Sequence, residues 1–271
     1  MNQIRKVLFS AFFITHFSFF FPSYASPVST IECPELADFE HSQLHSGTVQ
    51  WIVDGDTLHT QKGRKLRLLN INAPELNSGK KASAELLALE SHRKLKTLVP
   101  KGSKIYWVHD LESKDSYGRE LVYLFSEQGL FVNRQMVLTG LAQTLVVPPN
   151  QRYWQCIGAA EQNAKQKKLG LWQQVAKIKI NPKNLTTDQK YHWVSGTITK
   201  IIDSKKYKWL ILDDKLWVGI KRRDFVYFSK ATLDFKIGSQ LNVRGYVYYS
   251  YGQIRLNLRH PAMLLKNNKD G

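Results

Sequence analysis

Between residues 47 and 71, apolar and polar positions alternate in short runs broken by turn residues. Residues 47–53, 57–60 and 66–71 read as strands, separated by Asp54-Gly55-Asp56 and Lys62-Gly63. The period then changes. Across 82–99, Leu86, Leu87, Leu89, Leu95 and Leu98 recur near helical spacing, and Pro100 closes the run. Strand patterning returns at 104–109 and 120–125. Residues 131–140 and 151–168 predict two further helices, the last stopped at Leu169-Gly170. The stretch 178–188, with Asn181, Pro182 and Asn184, reads as part of a linker. Beyond it, 194–202, 209–212, 216–221, 240–248 and 253–258 are strand-like, and 223–234 reads as helix or loop. Five strands with an insertion after the third suit a small OB-type barrel, and a generic small β-barrel fits as well.

The N-terminus follows another logic. Arg5 and Lys6 precede an apolar stretch, 7–21, interrupted by Ser10, Thr15, His16 and Ser18 and followed by Pro22-Ser23-Tyr24-Ala25. This pattern predicts a secretory signal peptide over 1–25. Its apolar run of about 15 residues is short of the roughly 20 a membrane span needs, so an uncleaved anchor is the lesser alternative. The expected division is a first domain at 26–176, a linker at 177–190 and a second domain at 191–271. Export, to periplasm or medium, would permit a disulfide. Cys33 and Cys156 are the two cysteines and allow one pairing within the chain, with two unpaired thiols as the alternative.

Charge adds a partner. The chain of 271 residues carries 39 Lys and Arg against 22 Asp and Glu, a net +17, which points to nucleic acid or an anionic surface. The excess is uneven. Residues 26–176 hold 18 basic and 15 acidic side chains (+3), and 177–271 hold 19 and 7 (+12). In the second block bases interleave with aromatics: Lys205, Lys206, Tyr207, Lys208, Trp209; then Lys221, Arg222, Arg223, Phe225, Tyr227; then Arg244, Tyr246, Tyr248, Tyr249, Tyr251, Arg255, Arg259. Cationic grooves with aromatic platforms suit single strands. The bland reading is a basic β-domain whose aromatics fill its core; anionic envelope polymers are a third option.

Candidate chemistry is concentrated in three strings: Val53-Asp54-Gly55-Asp56-Thr57, Arg67 to Glu75, and Asp115-Ser116-Tyr117-Gly118-Arg119. Asp56, Asn72 and Glu75 supply oxygen donors suited to a hard cation. Arg67 and Arg119 supply forks suited to a phosphodiester. A carboxylate beside such a site can position or deprotonate water. Singly each feature is ordinary, since an Asp-Gly-Asp turn is usually only a turn.

Together, and in this order, the strings resemble the thermonuclease family, the staphylococcal-nuclease-like phosphodiesterases. The resemblance runs from about Gly47 to Trp172 and includes the closing Leu169-Gly170-Leu171-Trp172. It implies a mainly β fold with helices (α+β): a five-stranded OB-type barrel with three helices. It implies an exported, metal-dependent endonuclease acting on DNA, with RNA also open, at little sequence specificity. The metal ligands would be Asp56, Asn72 and the backbone carbonyl of Ala73, with Ca²⁺ expected and Mg²⁺ or Mn²⁺ as alternatives. Glu75 would orient or activate water, Arg67 and Arg119 would hold the phosphate, and Tyr117 would lie near phosphate or sugar.

Three departures stand out. Asn72 replaces an aspartate of the best-known member. The stretch after Glu75 is shorter. The segment 145–150 lacks a base-stacking tyrosine. The loss of a charged ligand at Asn72 keeps open a non-catalytic nucleic-acid-binding protein on a nuclease fold. No span is expected after signal cleavage, anionic cell-surface contact remains a further option, and a monomer is the default.

Overall fold

The alternation over 45–126 closes into a barrel because every second side chain can be buried on one side. The computed structural model describes residues 31–76, 84–186 and 190–265. The expected signal peptide and the start of the first predicted helix lie outside them. Strands β1 (His45–Ile52), β2 (Thr57–Thr60), β3 (Lys65–Leu68), β5 (Lys104–Val108) and β6 (Glu120–Ser126) form a closed ring in the order β1-β2-β3-β6-β5. Val49, Leu58, Leu66, Leu68, Ile105, Trp107, Val122 and Leu124 are buried in its core. A short two-stranded sheet, β4 (Ile71–Asn72) with β7 (Gln143–Thr144), lies beside the ring.

The expected strand 66–71 is thus broken in two. Asn70 takes a left-handed conformation (φ 59°) between β3 and β4, and its side chain is tied on both sides. Asn70 Nδ2 donates to the Asn150 carbonyl at 2.8 Å, and the Tyr123 hydroxyl donates to Asn70 Oδ1 at 2.8 Å. Asparagine tolerates this backbone better than most residues.

Three helices pack on the ring: α1 (Ala88–Leu98), α2 (Val132–Leu138) and α3 (Trp154–Gln166). The leucine stripe is buried only in part: Leu95 enters the core and Leu98 packs against it, but Ala88 and Ser91 complete the buried face while Leu86 and Leu89 remain exposed. A polar Ser91 belongs there because its hydroxyl donates to the Leu141 carbonyl at 2.7 Å. Cys33 and Cys156 are joined in a disulfide that ties the segment before β1 to α3.

The second β block repeats the plan. Strands β9 (Tyr191–Asp203), β10 (Tyr207–Leu212), β11 (Leu216–Lys221), β12 (Gln240–Ser250) and β13 (Gln253–Asn257) are ordered β10-β11-β13-β12-β9, and β9 also pairs with β10. That extra pairing closes a second ring. In each ring the third and fifth strands run parallel, β3 with β6 and β11 with β13, while all other ring pairings are antiparallel. Both are OB-type in strand order, and the second has its own core around Val194, Leu210, Val218, Val243 and Leu256. The segment expected as a linker does more than connect: β8 (Lys179–Ile180) pairs in parallel with β9. The stretch 223–234 forms two 3₁₀ turns, Arg222–Tyr227 and Ala231–Leu233. Among the described residues no helix is long and apolar enough to cross a membrane.

Within residues 31–271, one compact unit, the second ring docks on α3 and the segments beside it rather than on the strands of the first ring. Trp172 packs on Trp193 with centroids 4.8 Å apart, in a cluster with Ala164, Val175, Ile178 and Leu265. Trp154 meets His260 edge-on at 4.7 Å, and Arg259 donates to the Pro148 carbonyl at 2.9 Å.

Candidate active site

The turn between β1 and β2 sets Asp56. The Asp56 N–H donates to Asp54 Oδ1 at 2.9 Å, and the Val53 N–H donates to the Thr57 carbonyl at 2.9 Å, closing the turn. Gly55 is required by crowding: a Cβ there would stand 1.8 Å from Ser91 Oγ and 2.7 Å from the Ala73 Cβ. The turn is thereby pressed between α1 and the segment after β4. The Asp56 carbonyl accepts from the Leu68 N–H at 2.8 Å, which holds the turn against β3.

On β3, Leu66 and Leu68 enter the barrel core, so Arg67 points the other way. It is buried all the same. Its Nη1 donates to the carbonyls of Leu68 (2.7 Å) and Ile71 (3.1 Å). Its Nη2 pairs with Asp56 Oδ2 at 3.0 Å and lies 3.4 Å from Asn72 Oδ1. The oxygens of Asp56 and Asn72 therefore converge on one point. Asp56 Oδ2 also accepts the Ala73 N–H at 2.7 Å, and Oδ1 accepts the Thr57 hydroxyl at 3.0 Å.

Charge in this network is finely opposed. Burial pushes the Asp56 carboxyl up, to about 7, against the pull of Arg67, the Ala73 N–H and Thr57. Burial also works against the Arg67 charge, but Asp56, helped by Tyr246, Asp54 and Glu75, holds its pKa above the ordinary value. Glu75, just past β4, is half-buried. Burial and then Asp56 raise its pKa, while Arg67 and Arg119 act to lower it. Its backbone is locked to the start of the α1 region: the Glu75 N–H donates to Glu85 Oε2 at 3.1 Å and its carbonyl accepts from the Glu85 N–H at 2.9 Å.

Arg119 approaches from the turn before β6. It is paired with Asp115 at 2.7 Å, and Asp115 Oδ1 also accepts the backbone N–H groups of Tyr117 and Arg119 at 2.9 Å each. Its guanidinium lies 5.5 Å from the Tyr117 ring centroid, and Tyr117 is 81% exposed. That exposure makes Tyr117 a surface ring rather than a packing residue.

Asp56, Arg67, Asn72 and Ala73 are thus joined directly, with Glu75 and Arg119 in electrostatic reach. One neighbour comes from far along the chain. Tyr246 of β12 places its hydroxyl 3.5 Å from Asn72 Oδ1, and its pKa is raised by burial with Arg67, Asp56, Glu75 and Arg119 all felt there. The second ring therefore reaches the site. Periodicity marked Tyr246 only as one aromatic among many; nothing local to it announces a partner 174 positions away.

Among the described residues no cluster of three or more His, Cys, Asp or Glu could hold a metal ion. The donor set that does converge is all oxygen, Asp56 carboxylate and Asn72 amide, with burial disfavouring the Asp56 charge more than Arg67, the Ala73 N–H and Thr57 favour it. Those donors fit a hard divalent cation in kind, and would leave several positions to water and substrate oxygens. The Ala73 N–H is committed to Asp56.

Comparison with known proteins agrees with this geometry. Residues 65–174 match the family of staphylococcal nuclease homologues. The chain is 36% identical over 138 residues to endonuclease YhcR of Bacillus subtilis (strain 168), covering 47% of this chain and 11% of that protein. It is 29% identical over 128 residues to a thermonuclease of Staphylococcus intermedius, covering 46% of this chain and 74% of that one. A Staphylococcus hyicus thermonuclease is 28% identical over 127 residues, 45% and 72%. The chain thus spans a small part of the first relative's length. Residues 65–174, which hold most of the first ring and its helices, are thus similar to staphylococcal nuclease homologues.

Proposed function

We propose that this chain, built on a staphylococcal-nuclease-like domain, is an exported, metal-dependent nuclease that hydrolyses phosphodiester bonds of DNA, and of RNA, with little sequence preference. The observation that carries the proposal is the convergence of Asp56, Arg67 and Asn72, with Glu75 and Arg119 in reach.

Each side chain has a part. Arg67 is anchored through Nη1 by two backbone carbonyls, and its Nη2, shared between Asp56 and Asn72, is the part that would turn to a phosphate. Arg119 stands nearer the surface and can share its fork between Asp115 and a phosphate oxygen. Glu75 is held as a partly desolvated carboxylate, a better proton acceptor than a free one, and orients the attacking water or takes its proton. Asp56, Asn72 and the Ala73 carbonyl would hold the cation, with Ca²⁺ favoured over Mg²⁺ or Mn²⁺ by the loose, all-oxygen set. When bound, the ion would add positive charge beside the scissile phosphate. The disulfide supports export, because such bonds persist in oxidising compartments.

The test is cleavage of single- and double-stranded DNA and of RNA with Ca²⁺, Mg²⁺, Mn²⁺ or chelator, beside Glu75→Gln. Metal-dependent cleavage lost in Glu75→Gln is expected. Tight binding without cleavage under every metal would sink the enzyme and leave a nucleic-acid-binding protein on a nuclease fold.

A further inference from the structure

The outer surface of the second ring carries a row of rings and cations. Its buried positions alternate with outward ones, and register places the outward residues side by side. Tyr248 on β12 lies opposite Arg255 on β13, Arg255 lies beside Trp217 on β11, and Asn257 beside Gly219. Gly219 in turn faces Trp209 on β10, and Lys221 faces Tyr207. Neighbouring strands are about 4.8 Å apart, so these side chains form a continuous band.

The band is assembled from rings and cations. Tyr207 stacks on Trp209 at 4.7 Å with planes 19° apart. Arg255 lies 5.0 Å from the Trp209 ring and 5.1 Å from that of Tyr251. Lys221 lies 6.0 Å from the Tyr207 ring. Gly219 makes room for this row: a Cβ there would meet the Trp209 ring at 2.4 Å. Gln253 Oε1 accepts from Arg255 Nε at 3.2 Å and Nη2 at 2.6 Å, which fixes the guanidinium further.

One end of the band is covered, and the other is open. Trp193 and Arg244, outward on β9 and β12, are buried against α3 and the turn that follows it. The next outward residue on β12 is Tyr246, half-exposed, with its hydroxyl at Asn72. After it comes Tyr248, whose hydroxyl donates to Asn257 at 3.0 Å and which feels both Tyr207 and Arg255. At the far edge Tyr251 is 88% exposed. The band therefore begins inside the candidate active site and ends in solvent.

We propose that this face is a track for single-stranded polynucleotide, leading from Tyr246 at the active site across Tyr248 and Arg255 to Tyr251 and Tyr207. Fixed cations would meet phosphates, and the exposed rings of Tyr246 and Tyr251 would meet bases. A single strand is the occupant because its bases are free to stack on rings, whereas those of a duplex are stacked on each other. The net +12 of residues 177–271 supplies the matching charge. The track rests on the nuclease reading for its starting point and extends it to substrate class.

The experiment uses the full chain carrying Glu75→Gln, so that binding is read without turnover. Labelled oligothymidylates of about 4 and about 20 nucleotides, and a duplex of the longer length, are titrated by fluorescence anisotropy. The long strand is expected to bind at least about tenfold tighter than the short one. Tyr251→Ala and Arg255→Gln should each remove much of that gain, and Arg255→Gln should also shallow the salt dependence by about one phosphate. Tyr251 is so exposed that its variant keeps the fold, which matched thermal unfolding verifies. The track is overturned if both variants keep the full length dependence, if the duplex binds more tightly than the single strand, or if heparin of matched charge competes equally well. Wild-type chain that cleaves nothing under any metal would instead overturn the nuclease reading, so the two fail separately.

Discussion

Arg244 of the second ring and Glu161 of α3 form a two-pronged buried ion pair, at 2.7 and 2.9 Å across 83 positions of sequence. Burial works against the Glu161 charge, yet Arg244, with Lys165 and the Thr144 N–H, holds its carboxyl below the usual range. Thr144 is the hinge of the matter. It sits on β7, opposite Ile71 of β4, and Asn72 follows on the same strand. The contact that docks the second ring is therefore linked through the Thr144 N–H and the β7–β4 pairing to the residue next to a candidate ligand.

Removing one partner leaves a charge buried without its match. Arg244→Leu and Glu161→Leu should each cost about 3–5 kcal/mol in urea unfolding, and the double variant much less than their sum. Strictly additive losses would show that the two side chains do not act as a pair. Because Glu161 also steadies β7, Arg244→Leu should lower kcat/KM more than a surface substitution of equal charge change.

The two arginines proposed to meet the phosphate should separate on stability. Arg67 is buried, bonded to two carbonyls and paired with buried Asp56, so Arg67→Ala should lose both activity and about 3–5 kcal/mol of stability. Arg119 is partly exposed and its pair with Asp115 is a surface one. Arg119→Ala should therefore cost at most about 1 kcal/mol, while lowering kcat by roughly 10²–10³-fold, the scale of losing one charge-stabilising donor. Differential unfolding set against initial rates checks both; equal stability losses would contradict the assignment.

The disulfide closes a separation of 123 residues. On the chain-entropy account, its removal should cost about 5 kcal/mol, among the larger single losses open to the chain. Cys33→Ala with Cys156→Ala, compared with wild type before and after reduction, reads this directly. A reduced wild type as stable as the oxidised one would mean that the N-terminal segment contributes nothing by being tied to α3.

How much of this was legible in sequence follows the range of the interactions. The first ring was readable because Leu66, Leu68, Val122 and Leu124 alternate locally, and the site strings are local too. The break at Asn70 was not, since its left-handed backbone depends on Tyr123 and Asn150, both distant. The leucine stripe of α1 was half legible: Leu95 and Leu98 pack inward, but Ser91, polar in isolation, is satisfied by the Leu141 carbonyl and takes part of the buried face while Leu89 stays out. The shared strand order of the two rings leaves no sequence repeat, because barrel closure needs only alternation and turns. Tyr246 was visible only as one aromatic among several, for its place at the site depends on docking through the Arg244–Glu161 pair, 83 positions apart, and the Trp193–Trp172 contact.

His260 gives the chain a titration point at that docking surface. Its ring is buried against Trp154 and Tyr227, and burial alone pushes its pKa from the ordinary 6.5 down to about 4. Its Nδ1 accepts the Ala262 N–H at 3.1 Å, which requires the neutral ring. The folded chain therefore binds this proton less readily than the unfolded one. The stabilisation is complete above about pH 6.5 and drains as pH falls toward 4, by up to about 3 kcal/mol. Other carboxylates titrate in the same window, so the measurement is a difference. His260→Asn keeps an acceptor for the Ala262 N–H and removes the titration. Unfolding free energies of the two proteins, taken from pH 7 to pH 4, should converge or cross as the wild type loses its advantage. A gap that stays constant across that range would show that His260 is not held neutral by burial.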